Sequence, residues 1–234
     1  MAERDNRPPR DGSPDEAPER AAQPLVQRAI NRSLSDRYAS AAGEVGRIID
    51  ATYRVFERTG TFDPRMREIL AEAGLSTQAF YRHFASKDEL LLVVLDDGRH
   101  RLTEHLRRRM AKVDPGLPRV RAWIEGVLAQ ATDTDASSRT RPFVMNVFNL
   151  MAQYPDELER SITLLLDLLR EALQEAEAEG QLERTPTDGD ARSIYHLAFG
   201  PMENHVAFGT KPSATEAAEL TEFAFRAIGA KTSS

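Results

Sequence analysis

Apolar residues recur at three- and four-residue intervals along most of this chain, and no stretch alternates strongly enough to be named a strand, so the pattern predicts an all-α protein. The first clear run, EVGRIIDATYRVFERTG, sets Val45, Ile48, Ile49, Thr52, Val55 and Phe56 along one face, and Gly60 stands where a helix stops in the left-handed conformation. Asp63 offers an N-cap oxygen for a second helix, with Pro64 at its first position and Met66, Ile69, Leu70 and Ala73 on one face until Gly74. After the tight Gly74-Leu75-Ser76 turn, Ser76 caps a third, short helix in which Phe80 and Phe84 point inward while Gln78 and Arg82 point the other way. Ser86-Lys87-Asp88-Glu89 is an S-x-x-E capping box that starts a fourth helix, running to about Lys112.

Beyond Leu91 the pattern stays helical. Asp114-Pro115-Gly116 stops the fourth helix, Pro118 opens a fifth, and Asp133 to Ser138 reads as a polar loop. Arg141 to Tyr154 forms an apolar helix, and Asp156 to Gly180 a long amphipathic one with Ile162, Leu165, Leu166, Leu169 and Leu173 along a stripe. Asp188 to Gly209 forms another, interrupted at Gly200-Pro201, and Ser213 caps a last helix that Gly229 ends. The expected domains are a mostly disordered extension (1–43), a small helical domain (44–91) and a larger helical body (92–230).

Two short helices joined by a Gly-containing turn, the second with a polar outer face, match the geometry that lays a helix into the DNA major groove. Thr77, Gln78 and Ala79 occupy the first turn, the part that inserts deepest; Gln bonds adenine bidentately, and Thr or Ala meets a thymine methyl. Tyr81 and His83 lie farther along, at phosphate range, and Lys87 places an ammonium beside the exposed N–H groups of a helix start.

At these residues the chain resembles the DNA-binding domain of the TetR (AcrR-like) family of bacterial transcriptional regulators. The resemblance rests on Ile69-Leu70-Ala71-Glu72-Ala73-Gly74-Leu75-Ser76, then Phe80-Tyr81-Arg82-His83-Phe84 and Ser86-Lys87-Asp88-Glu89-Leu90-Leu91. It implies that the positions of Arg67, Thr77, Gln78 and Ala79 approach bases and those of Tyr81, His83 and Lys87 approach phosphates. Two positions depart from the family pattern. Pro64-Arg65 stands where small hydroxyl residues are usual, leaving Arg65 a phosphate contact, and Leu70 replaces a common Ala, which asks for modest repacking.

Composition narrows the alternatives. The 234 residues are 41% hydrophobic, with no cysteine, so disulfides and thiolate metal sites are excluded. The opening MAERDNRPPRDGSPDEAPER is charged and proline-rich, and no later stretch is long and uncharged enough to span a membrane; a cytoplasmic, nucleoid-associated protein is expected. The net charge of -6 comes from acids late in the chain, while Arg28, Arg32 and Arg37 precede the motif and Arg99, Arg101, Arg107, Arg108, Arg109 and Lys112 follow it. The first group reads equally as an arm reaching DNA and as a tail of scattered charges; the second reads as a solvated face or a contact with acidic helices.

No G-x-S-x-G, phosphate loop or H-E-x-x-H appears and the five histidines are scattered, so no enzyme, metal or cofactor is expected. The larger body carries Trp123, Phe143, Met145, Phe148, Asn149, Met151, Tyr195 and Met202, a set suited to an apolar pocket with a few oriented hydrogen bonds for a small effector. Its two long late helices are where members of the resembled family pair, so a homodimer on a roughly palindromic double-stranded operator, released by a largely apolar effector, is the expectation. A constitutive DNA-binding or protein-interaction dimer without a ligand is the alternative.

Overall fold

A computed structural model describes residues 25–60 and 63–231, with the side chains of 25–29, 31 and 146–149 outside the description. The helices are α1 (Leu25–Thr59), α2 (Met66–Ala73), α3 (Thr77–Tyr81), α4 (Lys87–Met110), α5 (Leu117–Thr132), α6 (Thr134–Gln153), α7 (Pro155–Ala178), α8 (Asp188–Phe208) and α9 (Glu216–Ile228). Among the described residues no strand forms, and the one β-type pairing is an isolated bridge between Leu182 and Ala230. Residues 1–46 and 47–234 form two units and are treated separately. In the first, residues 25–46 are helical, so the helix expected from Glu44 begins about twenty residues earlier and the extension is not disordered there; residues 1–24 lie outside the described residues. Ile30, Leu34 and Tyr38 are exposed on it, as are Arg32 and Arg37.

In the second unit, Ile48, Ala51, Val55 and Phe56 of α1, Ile69 and Leu70 of α2, Phe80 of α3, Phe84, and Leu90 and Val94 of α4 are all buried. These are the inward positions of the sequence pattern. Gly74 adopts φ 64°, and its N–H and that of Leu75 close back onto the end of α2, which turns the chain sharply enough to start α3 two residues later. Ser76 caps α3, accepting the Ala79 N–H at 3.1 Å; Ser86 caps α4 in the same way through the Glu89 N–H.

Three expectations are corrected. Asp63 does not cap α2: Pro64 is buried, Arg65 is the extended residue before the helix, and the Asp63 carboxylate instead accepts from Lys87 Nζ. The polar stretch from Asp133 is the first turn of α6, because the Asp133 carboxylate accepts the N–H groups of Asp135 and Ala136 at 2.9 and 3.1 Å. Helix α8 runs through Gly200-Pro201 without interruption. The leucine stripe of α7 is fully used inside the protomer, Leu165, Leu166, Leu169 and Leu173 being buried in the core of the larger body beside Trp123, Ile124 and Val127 of α5. That stripe of α7 is therefore not a face that a second copy can cover.

Candidate nucleic-acid interface and effector cavity

Burial divides α3 into two faces. Phe80 is fully buried and its ring stacks on Phe84 at 5.3 Å between centroids, while Thr77 and Gln78 are exposed and Tyr81 keeps 62% of its surface. The capped first turn therefore presents Thr77 and Gln78 outward on a helix of five residues whose angle is fixed by two phenylalanines. Ala79 is 5% exposed, its side chain turned toward the core, so of the three first-turn positions it offers the least to a base edge. Arg65 and Arg67 are exposed beside this surface and His83 is half-buried. Lys87, the expected phosphate anchor, has its ammonium on the Asp63 carboxylate, so its charge is partly answered within the protein. Arg54 Nε donates to Glu72 at 2.8 Å and ties α1 to the back of α2.

A cavity of about 280 Å³ opens between α1, α4, α5, α6 and α8. Leu95, Leu102, Phe143, Phe199 and Met202 give it an apolar wall, and Arg99, His105, Gln130, Thr140 and Glu203 supply polar groups. Of the residues expected at a pocket, Phe143 and Met202 line it. Trp123 and Tyr195 are buried behind it, their rings 6.1 and 4.3 Å from that of Phe199. Met145 and Met151 do not line it: they fall on the outer face of α6, 43% and 52% exposed. The side chains of Phe148 and Asn149 lie outside the described residues. Burial holds the Tyr195 hydroxyl near 12 and pushes the Glu203 carboxyl up from its ordinary value.

The sequence pattern predicts Arg99 on a solvated face or against acidic helices and does not single out Glu203, yet both carry a signal. Arg99 interrupts the Leu95, Leu102, Leu106 stripe of α4, and Glu203 lies beside the buried run Phe199, Met202 and Val206 of α8, each a charge bordering a face that otherwise buries carbon. A larger hollow of about 960 Å³, between the ends of α4, α5 and α9, is a basic surface groove lined by Arg109, Lys112, Arg121, Arg226 and Lys231, and it does not reach α1.

The 280 Å³ cavity does reach α1. Tyr53 lines it, and its hydroxyl lies 2.9 Å from the Val94 carbonyl and 3.1 Å from Asp97 Oδ2, sharing its proton with two acceptors on α4. Burial, then the neighbouring Asp97 charge, hold that phenol well above its ordinary pKa. The guanidinium groups of Arg101 and Arg139 sit 5.7 and 5.8 Å from the Tyr53 ring centroid, within cation–π range. Arg101 pairs with Asp97 at 2.7 Å and Arg139 of α6 with Glu57 of α1 at 2.6 Å. Helix α1 is thus held by residues that also form the cavity wall. Within the later basic cluster, Arg107 pairs with Glu104 and Arg109 with Glu125.

Residues 48–94 match the family described as bacterial regulatory proteins, tetR family. An uncharacterised HTH-type transcriptional regulator of Haemophilus influenzae is 31% identical over 70 residues, 30% of this chain; the match spans only about a third, 34%, of that relative's length. Among solved structures, the fatty acid degradation regulator FadR from Bacillus halodurans superposes with a TM-score of 0.62 at 17% identity, over 77% of this chain and 94% of that one. RolR in complex with resorcinol gives 0.60 at 13% identity, over 83% and 91%. At these identities the structures show a shared fold.

Proposed function

We propose that this chain, which belongs to the tetR family of bacterial regulatory proteins, represses transcription by binding a roughly palindromic operator as a homodimer and leaves it when a small, largely apolar effector fills the cavity behind Tyr53. It acts by binding, not by turnover, in the cytoplasm on nucleoid DNA. The observation that carries the reading is the two-faced α3, with Phe80 buried and the Thr77 and Gln78 side chains presented outward from a capped first turn. Thr77, Gln78 and Arg67 take the base-contacting positions, with the buried Ala79 packing the first turn of α3 onto the core, and Arg65, Tyr81, His83 and Lys87 take the phosphate positions. In a dimer the two copies of α3 stand about 34 to 36 Å apart, one turn of B-DNA, and enter successive major grooves.

The cavity supports control by a ligand over a constitutive binder, because its wall includes Tyr53, Arg101 and Arg139, the groups that fasten α1 to α4 and α6. An effector that displaces any of them shifts α1 and α4, and with them the spacing of the two copies of α3. The fold neighbour RolR holds resorcinol, a small molecule of the size this cavity admits. A ligand shifts the equilibrium only by its differential affinity for the two forms, so about 3 kcal/mol of coupling weakens operator binding on the order of a hundredfold. Pairing through α7 and α8 must use their outer faces, where Arg170 and Arg192 bridge to Asp188 and Glu159 and Leu164 is exposed. Sedimentation of the purified protein with and without a selected operator duplex tests this: two protomers per duplex are expected, and one per duplex would contradict the dimeric reading.

A further inference from the structure

We propose that the effector is an amphipathic anion, a carboxylate on an apolar body, and that Arg99 holds its charged head. This rests on the reading of the 280 Å³ cavity as the effector site. Arg99 lines that cavity, and its Nη1 is fixed from behind by α7, donating to the Leu158 carbonyl at 3.2 Å and to Ser161 Oγ. Nε and Nη2 donate to no atom of the described residues, and no carboxylate among them lies within ion-pairing distance of this guanidinium. The two other arginines of the cavity are answered, Arg101 by Asp97 and Arg139 by Glu57. Arg99 therefore presents its remaining donors unused.

A guanidinium has five N–H donors and stays charged, so sequestering one with no carboxylate bonded to it is unfavourable and an incoming anion relieves the deficit. Its planar fork matches a carboxylate with two parallel bonds. The pKa of Glu203, also in the wall, is pushed up by burial and drawn down by the Arg99 charge, and its carboxyl makes no ion pair with that guanidinium. A cationic effector on Glu203 would add a second positive charge beside Arg99. Leu95, Phe143, Phe199 and Met202 receive the apolar body. The volume of about 280 Å³ lies at the lower end of small-molecule sites, roughly 300 to 1,000 Å³, which suits one ring or a medium chain and excludes a long acyl tail.

Calorimetric titration of the full chain with octanoate and 4-phenylbutyrate, each beside its primary amide and amine, tests this at neutral pH. The carboxylates are expected to bind at least roughly tenfold more tightly than the amides, about 1.4 kcal/mol. Arg99→Gln should bring carboxylate affinity down to that of the amide and leave the amide unchanged, while Arg99→Lys recovers part of the preference. Amides or amines binding as well as carboxylates, or an undiminished preference in both variants, overturns the anion assignment and leaves the cavity standing. Carboxylate binding that persists in a folded Val144→Trp variant, whose indole fills the cavity, overturns the cavity reading itself. Failure of all six probes to bind the unaltered chain overturns the proposal.

Discussion

Gln78 and Lys87 are proposed for different contacts, one with a base and one with a phosphate, so the loss of each should read differently. Gln78 is exposed on a capped first turn, with a side chain able to bond adenine bidentately, so Gln78→Ala is expected to weaken binding by about 1 to 3 kcal/mol at one operator position and relax specificity there. Lys87→Ala should weaken all sequences alike and lower the salt slope by about 1. Gel-shift titrations over a set of single-base operator variants separate the two; equal losses on every sequence from both changes would reverse these roles. Because the Lys87 ammonium rests on Asp63, Asp63→Asn should strengthen binding to any duplex several-fold at low salt, and an unchanged affinity would show that the pair opens freely on DNA. The outward identity of Gln78 was legible in the sequence because Phe80 and Phe84 set the inward face by local spacing. Asp63 was not, since its spacing to Pro64 and Met66 imitates a cap while its partner lies 24 positions away.

At the scale of elements, α3 has only five residues and depends on its cap. Ser76→Ala removes the oxygen that accepts the Ala79 N–H and should cost about 1 kcal/mol of domain stability, with a larger fractional loss of operator affinity. The contact between α1 and α6 is of another kind. Glu57 and Arg139 are partly exposed, so Glu57→Gln should cost under about 1 kcal/mol in thermal unfolding yet reduce the ratio of operator affinities measured without and with the bound carboxylate probe. A full-sized ratio in that variant would place the coupling elsewhere. The start of α8 sets the acid limb of stability: Arg184, 2.6 Å away, and the Thr187 cap hold the Asp190 carboxyl at about 2, below its ordinary 3.8. A depressed folded pKa contributes stability above the ordinary value that is lost as pH falls from about 4 toward 2, so Asp190→Asn should flatten the melting temperature in that window and lower it at neutral pH. Helix faces were readable because period and caps are local. The start of α6 was misread because Asp133 to Ser138 has loop composition, and only the two bonds to the Asp133 carboxylate make it a helical turn.

For the whole molecule, the sequence motif marked the helix-turn-helix, and the tertiary packing supplied the links between α1 and the cavity wall. Tyr53 reaches a carbonyl 41 residues away and Arg139 an acid 82 residues away, separations that no periodicity reports. The same holds for the α7 stripe: its spacing announced a buried face, and only the packed chain shows that α5 covers it in the protomer. The account stands on the claim that exposed residues of α3, repeated by two-fold symmetry, read a sequence. Selection of bound duplexes from a random pool by the purified, folded protein, at one stated salt concentration, tests that claim directly. The account predicts recovery of an inverted repeat with half-sites about one helical turn apart or a multiple of it, an enrichment that Gln78→Ala degrades at one position per half-site. Recovery of no common sequence, or of a single unrepeated site, would contradict it.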